Sequence, residues 1–176
     1  MHKIQRSLVG ACFLAASLFT TACSKSKNDT PAPTPAPQES LFIRMGGAAG
    51  IEALTDQMVA NVGAETGQAN SVMLRTHQPM LNAVNGVNGA APTDPTRLTR
   101  LRNSVVDQFS EITGGPLKYQ GPGMLNVHTG MHITDAEYNA WRVLLDSALA
   151  KRNIPAKEKA EFTALIDVMR RDVVGH

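Results

Sequence analysis

The sequence predicts an all-α domain. Three observations lead there. From Ser40 onward the apolar residues recur with a period near 3.6, helix caps stand where several of the runs begin, and no segment alternates as a half-buried strand would. The 176 residues suffice for one compact domain, built mainly from four longer helices.

In chain order, residues 1–22 come first and belong to no helix of that domain. Lys3 and Arg6 precede an apolar, uncharged run, the layout of a secretory signal and too short for a typical spanning helix. Thr20-Thr21-Ala22-Cys23 resembles the lipobox of bacterial lipoproteins, although Thr20 stands where Leu is usual. Cys23 is then the lipidated first residue, or else a cysteine within a signal cleaved elsewhere. Cys12 follows too short an apolar run to serve. Ser24 resembles the residue of lipoproteins sent to the outer membrane. Residues 23–39 hold no large apolar side chain and repeat Pro and Ala, so they suit a stiff tether of roughly 3 Å per residue. The expected location is the cell envelope, on the periplasmic side of the outer membrane, with membrane contact through the lipid anchor only.

Ser40 can cap a short first helix that ends at Gly46-Gly47. Ile51, Leu54, Met58 and Val62 share one face of a second helix, which Gly63 can stop. Residues 71–84 support one or two helical turns broken by Pro79, and residues 85–95 read as loop. Asp94 can cap the next helix with Pro95 at its first position, and Leu98, Leu101, Val105, Phe109 and Ile112 keep its face as far as Gly114-Gly115-Pro116. Thr134 and Glu137 form a capping box, flanked by Ile133 and Tyr138 as a staple. Trp141, Leu144, Leu145, Ala148 and Leu149 then make a buried stripe. Pro155 opens the last helix, with Phe162, Leu165, Ile166, Met169 and Val173 inside.

Charge and cysteine count exclude several function classes. The formal charge of +2 comes from Lys3 and Arg6, so the chain after residue 22 is balanced and offers no electrostatic reason to expect nucleic acid. Of the two cysteines only Cys23 would remain, carrying lipid. Disulfides, thiolate zinc sites, cysteine nucleophiles and covalent haem attachment are thereby excluded. Gly121-x-Gly123 lacks the Gly-Lys-Ser/Thr of a phosphate loop, and Asp135 and Glu137 are better explained as helix caps than as a catalytic pair. No His-Glu-x-x-His and no facing Glu-x-x-His pair is present. His77 and His176 lie where a solvated histidine is expected, and His132 reads as an exposed loop residue.

His128 sits inside a glycine-rich break in the helical pattern. Residues 124–129 would form one short helix, set off by Gly121-Pro122-Gly123 and ended by Gly130, with Met124 and His128 on one face. That geometry suits a haem ligand. Spacing alone favours an ordinary core or surface histidine.

Taken together, Ser40-Leu41-Phe42, Gly46-Gly47, Ile51-Glu52, Gly114-Gly115-Pro116, Tyr119, Gly121, Met124-x-x-x-His128-x-Gly130, Ile133-Thr134 and Asp172-Val173-Val174 resemble the truncated haemoglobins of group I, in the right order over most of residues 40–174. The resemblance implies a two-over-two helical sandwich around one non-covalent haem b, with His128 as proximal iron ligand and Tyr119 and Met124 near the porphyrin. It implies a distal wall from residues 98–113, with Leu101, Val105 and Phe109 toward the haem and Arg100 at a propionate. Met58 and Val59 would approach the ligand side. Many members place Tyr where this chain has Val59 and Gln where it has Val105. A net hydrogen bond to bound O2 from such groups is worth roughly 1.5–3 kcal/mol, tenfold to a hundredfold in affinity. The aliphatic pair therefore points to a fast-exchanging site for O2, NO or CO. His77, in a connection longer than the family's, could supply a sixth ligand or a polar distal group, the favoured reading being a solvated loop histidine.

Three functions compete on this basis. One is an envelope protein that reversibly binds a diatomic gas. Another is a haem-dependent NO dioxygenase or peroxidase, which would need an unidentified reductase or an acid–base group. The third is a globin-fold interaction module without haem.

Overall fold

The computed structural model describes residues 38–176. The signal segment, Cys23 and all but the last two residues of the tether lie outside the described residues. Within them the chain is helical, as its sequence predicts: α1 Leu41–Arg44, α2 Gly47–Thr66, α3 Leu74–Asn85, α4 Arg97–Ile112, α5 Met124–His128, α6 Asp135–Lys151 and α7 Ala156–Asp167, followed by a 3-10 turn Val168–Asp172. The one extended pairing among the described residues is a single bridge between Ile133 and Val174.

The expected caps form. Ser40 Oγ accepts from Ile43 N at 3.4 Å, and Gly46, at φ +94°, makes the left-handed turn into α2. Thr134 Oγ1 accepts from Glu137 N at 3.3 Å while the Glu137 carboxylate accepts from Thr134 N at 2.9 Å, satisfying two of the free N–H groups at the start of α6. Three boundaries differ from expectation. Gly63 does not stop α2, which runs to Thr66. Pro79 does not break α3. Asp94 does not cap α4, which begins at Arg97 after Thr96.

Two helical pairs enclose the core. α2 packs on α4 and on α6, and α4 reaches α7 through Phe109, whose ring meets Phe162 edge-on with centroids 5.0 Å apart. Ile51, Leu54, Leu145, Ala148, Leu149 and Phe162 are fully buried between them. α1 closes one end, with Phe42 N donating to Thr113 O at 2.8 Å where α4 stops. Gly115 makes that closure possible. A Cβ there would lie 2.4 Å from both Phe42 Cδ2 and Ser110 Oγ, so only glycine lets the chain pass. The Gly114-Gly115 break thus serves packing at α1 and also releases the chain toward α5.

Candidate functional site

α5 has only five residues, too few to be stable alone, so its position is set by what it touches. It packs on the 3-10 turn, and Met124 Sδ accepts from Gln108 Nε2 of α4 at 3.1 Å. Gly130, at φ +84°, turns the chain away after His128. His128 Nδ1 lies 2.7 Å from Met124 O one turn back. A carbonyl can only accept, so Nδ1 carries the proton and Nε2 keeps its lone pair. The ring is half-buried in the wall of a cavity of about 830 Å³.

That cavity collects six of the nine residues that the resemblance places around the haem: Leu101, Val105, Phe109, Tyr119, Met124 and His128. Phe109 is 2% exposed and also belongs to the core, whereas Leu101 is 47% exposed at the opening. Tyr119 folds back so that its hydroxyl lies where a Cβ on Gly121 would be, 2.2 Å away, which explains a glycine at that position.

Met58 and Val59 fall elsewhere. They line a smaller recess of about 150 Å³ that shares His77, Met80, Leu101, Val105 and Trp141 with the large cavity. The recess is aliphatic, and most of its polar side chains are already engaged. Thr55 donates its hydroxyl to Ile51 O and Thr66 to Val62 O, each at 3.0 Å. Arg102 holds Asp56 at 2.7 and 3.0 Å.

Arg100 lies outside both cavities. Its guanidinium turns back to the Asp94 carboxylate and to Thr96 Oγ1 at 2.6 Å, and this hydrogen bond pulls the Asp94 carboxyl below its ordinary range. Asp94, expected to cap α4, is what draws Arg100 away. Arg97 does line the large cavity, one turn before Leu101 on the face continued by Val105 and Gln108. Arg97 makes no ion pair among the described residues.

His77, expected to be a solvated loop residue, is half-buried on α3 and lines both cavity and recess. Its helix is fastened to the segment behind His128. Arg75 donates to Glu137 Oε1 and Oε2 at 2.9 and 2.6 Å, to Met131 O at 3.0 Å and to His132 O at 2.9 Å. Burial pushes the Glu137 carboxyl up, but Arg75 and the two Thr134 donors outweigh it and bring it down to about 2. Sequence reasoning missed Arg97, Gln108 and the Arg75–Glu137 clamp. The helical face of Leu101 and Val105, extended by one turn each way, finds the first two. The clamp spans 62 positions and has no local signal.

A family model described as bacterial-like globin matches residues 87–174. No curated protein matches the chain. Among solved structures, the truncated hemoglobin of Tetrahymena pyriformis in its Fe(III) form superposes with a TM-score of 0.60 at 17% identity, covering 78% of this chain and all of that one. A tyrosine-to-phenylalanine variant of the same protein gives 0.61 with the same identity and coverage.

Proposed function

Because the chain belongs to the bacterial-like globin family, we propose that it holds one haem b in the large cavity, with His128 Nε2 on the iron, and binds a diatomic gas reversibly. The observation that carries this reading is the imidazole of His128, fixed through Nδ1 by its own helix and left with a free Nε2 in an apolar wall.

The residues fit such a group. A cavity of about 830 Å³ lies within the ordinary range of cofactor sites, and it is lined mainly by apolar and aromatic side chains, Met and Val foremost, with charged side chains among them. One imidazole suits an iron whose four equatorial positions a macrocycle already fills, whereas a bare ion would want three or four protein donors. When bound, the haem supplies the iron to which the gas attaches. The chain's own residues do the rest. Met124 O orients the His128 ring and strengthens it as a donor, Phe109 and Tyr119 would offer apolar surface, and Arg97 would be the cavity cation available to a propionate. Val105 in the cavity wall, and Val59 in the adjoining recess, bring no hydrogen-bond donor to the gas, which favours rapid release over tight storage.

We also assign the chain to group I of the truncated haemoglobins and place it in the cell envelope, anchored through Cys23. The motif from Gly114-Gly115-Pro116 to Ile133-Thr134 supports the first, and the run before Cys23 supports the second.

Titrating haem into the purified chain is expected to give a Soret band that saturates at one equivalent. A folded chain that takes up none sinks the reading. Arg97→Ala should speed haem loss about two- to fivefold, the worth of one exposed ion pair, while Arg100→Ala leaves it unchanged. Haem transfer to an acceptor globin measures both rates.

A further inference from the structure

Two histidines stand in the cavity in the same chemical state. His77 Nδ1 lies 2.9 Å from Met73 O, one turn back on α3, just as His128 Nδ1 lies 2.7 Å from Met124 O on α5. Thr76 Oγ1 is 3.1 Å from His77 Nδ1 but can place its own proton on Met73 O at 3.0 Å. In the tautomer that makes the 2.9 Å contact a hydrogen bond, His77 Nδ1 donates to Met73 O and Nε2 keeps its lone pair. Neither Nε2 hydrogen-bonds to another of the described residues.

The two rings arrive from different walls, since α3 packs on α2 and α4 while α5 packs on the 3-10 turn. His77 lines both the cavity and the aliphatic recess. With the hydroxyls of Thr55 and Thr66 given to helix carbonyls and Arg102 held by Asp56, it brings to that recess a polar atom still free to bind something. Arg75 pins α3 through two hydrogen bonds to the chain between α5 and α6 and two to Glu137 in the first turn of α6. A histidine kept in one tautomer, on a clamped helix, facing an apolar space is arranged as a metal donor.

Resting on the haem reading above, we propose that His77 Nε2 is a second, displaceable iron ligand that competes with the gas for the position opposite His128. Closing the site forms one iron–nitrogen bond and opening breaks it. The proton stays on Nδ1, and no electron changes hands. A gas must then wait for the open state, and its apparent affinity falls by the open fraction. A site closed ninety-nine times in a hundred binds about a hundredfold more weakly than a free one. The affinity of this globin would be set by α3 more than by polar groups at Val59 and Val105.

The test uses the full chain loaded with haem. The unliganded ferrous protein is expected to be six-coordinate and low-spin, and its CO association rate should level off as CO is raised, because His77 must leave first. His77→Ala should be five-coordinate and high-spin, with CO association linear in CO and about tenfold faster or more. Added imidazole should return it to low spin. A five-coordinate ferrous wild type, or a His77→Ala protein still low-spin, overturns the proposal. Both outcomes keep the Soret band, so the haem reading survives them, whereas a chain that takes up no haem removes both. If His77→Ala fails to fold, the presence or absence of the CO plateau in the wild type decides alone.

Discussion

Replacing His128 with alanine should weaken haem binding by more than about a hundredfold and abolish the wild-type ferrous spectrum. The size follows from the bonding. Losing an outer partner of a metal-bound histidine typically costs 10–100-fold, and here the ligand itself is removed. The fold should survive, because the imidazole is half-buried and its hydrogen bond stays within its own turn, 2.7 Å from Met124 O. Thermal unfolding of the haem-free variant is therefore expected to match the haem-free wild type to within about 1 kcal/mol. A His128→Gly protein should regain the wild-type spectrum when imidazole is added, since the missing side chain leaves room for the free base. If His128→Ala instead holds haem with wild-type affinity and spectrum, the proximal assignment is wrong, and His77, the other cavity imidazole with a free Nε2, becomes the candidate for the iron.

What the sequence revealed and what it concealed divides along the range of the interactions. The caps at Ser40 and Thr134, the short α5 and the stripes of α4 and α6 depend on neighbours within one or two turns, so they were legible. Gly63 misled because a helix-interior glycine costs only about 1 kcal/mol, which the packing around it outweighs. Asn61, just before it, is buried and donates to Leu144 O of α6 at 3.0 Å, which ties this end of α2 to the core. Pro79 misled for a similar reason. It forfeits one hydrogen bond, but Ala83 beyond it is buried and its carbonyl accepts from Asp94 N at 2.9 Å, holding α3 together with the loop that follows. Arg100 and Arg97 are three apart on one helix, and spacing cannot say which of them an upstream carboxylate will capture. His77 had its face hidden by the proline, because isolated turns broken at Pro79 give no continuous wall for their side chains to line.

The Arg75–Glu137 pair should make this domain measurably sensitive to acid, and Glu137→Gln should remove that sensitivity. Glu137 is 8% exposed, and its carboxyl is held at about 2 against an ordinary value near 4.5. A carboxyl lowered on folding stabilises the folded state above its unfolded pKa, and the contribution fades as pH falls toward the folded one. The window here runs from about pH 4.5 down to about pH 2. After a discount for Arg75, which is half-exposed, the charge contributes on the order of 2 kcal/mol at neutral pH. Glutamine keeps an acceptor oxygen for Thr134 N and so preserves the cap of α6, while the charge facing Arg75 is lost. Urea unfolding at pH 7 should therefore show Glu137→Gln destabilised by about 2 kcal/mol, and at pH 2.5 the two proteins should converge. An equal deficit at both pH values would mean that the hydrogen bonds of the cap, and not the charge, carry the effect. The pair also joins the two sides of the cavity. Arg75 is two residues before His77, and its other acceptors, Met131 O and His132 O, lie three and four residues after His128. Loosening it frees α3 from the segment that follows α5, so the same Glu137→Gln protein, loaded with haem, should show faster CO association than wild type with an unchanged Soret maximum in the CO complex. Acid stability and gas access would then respond together to one buried carboxylate.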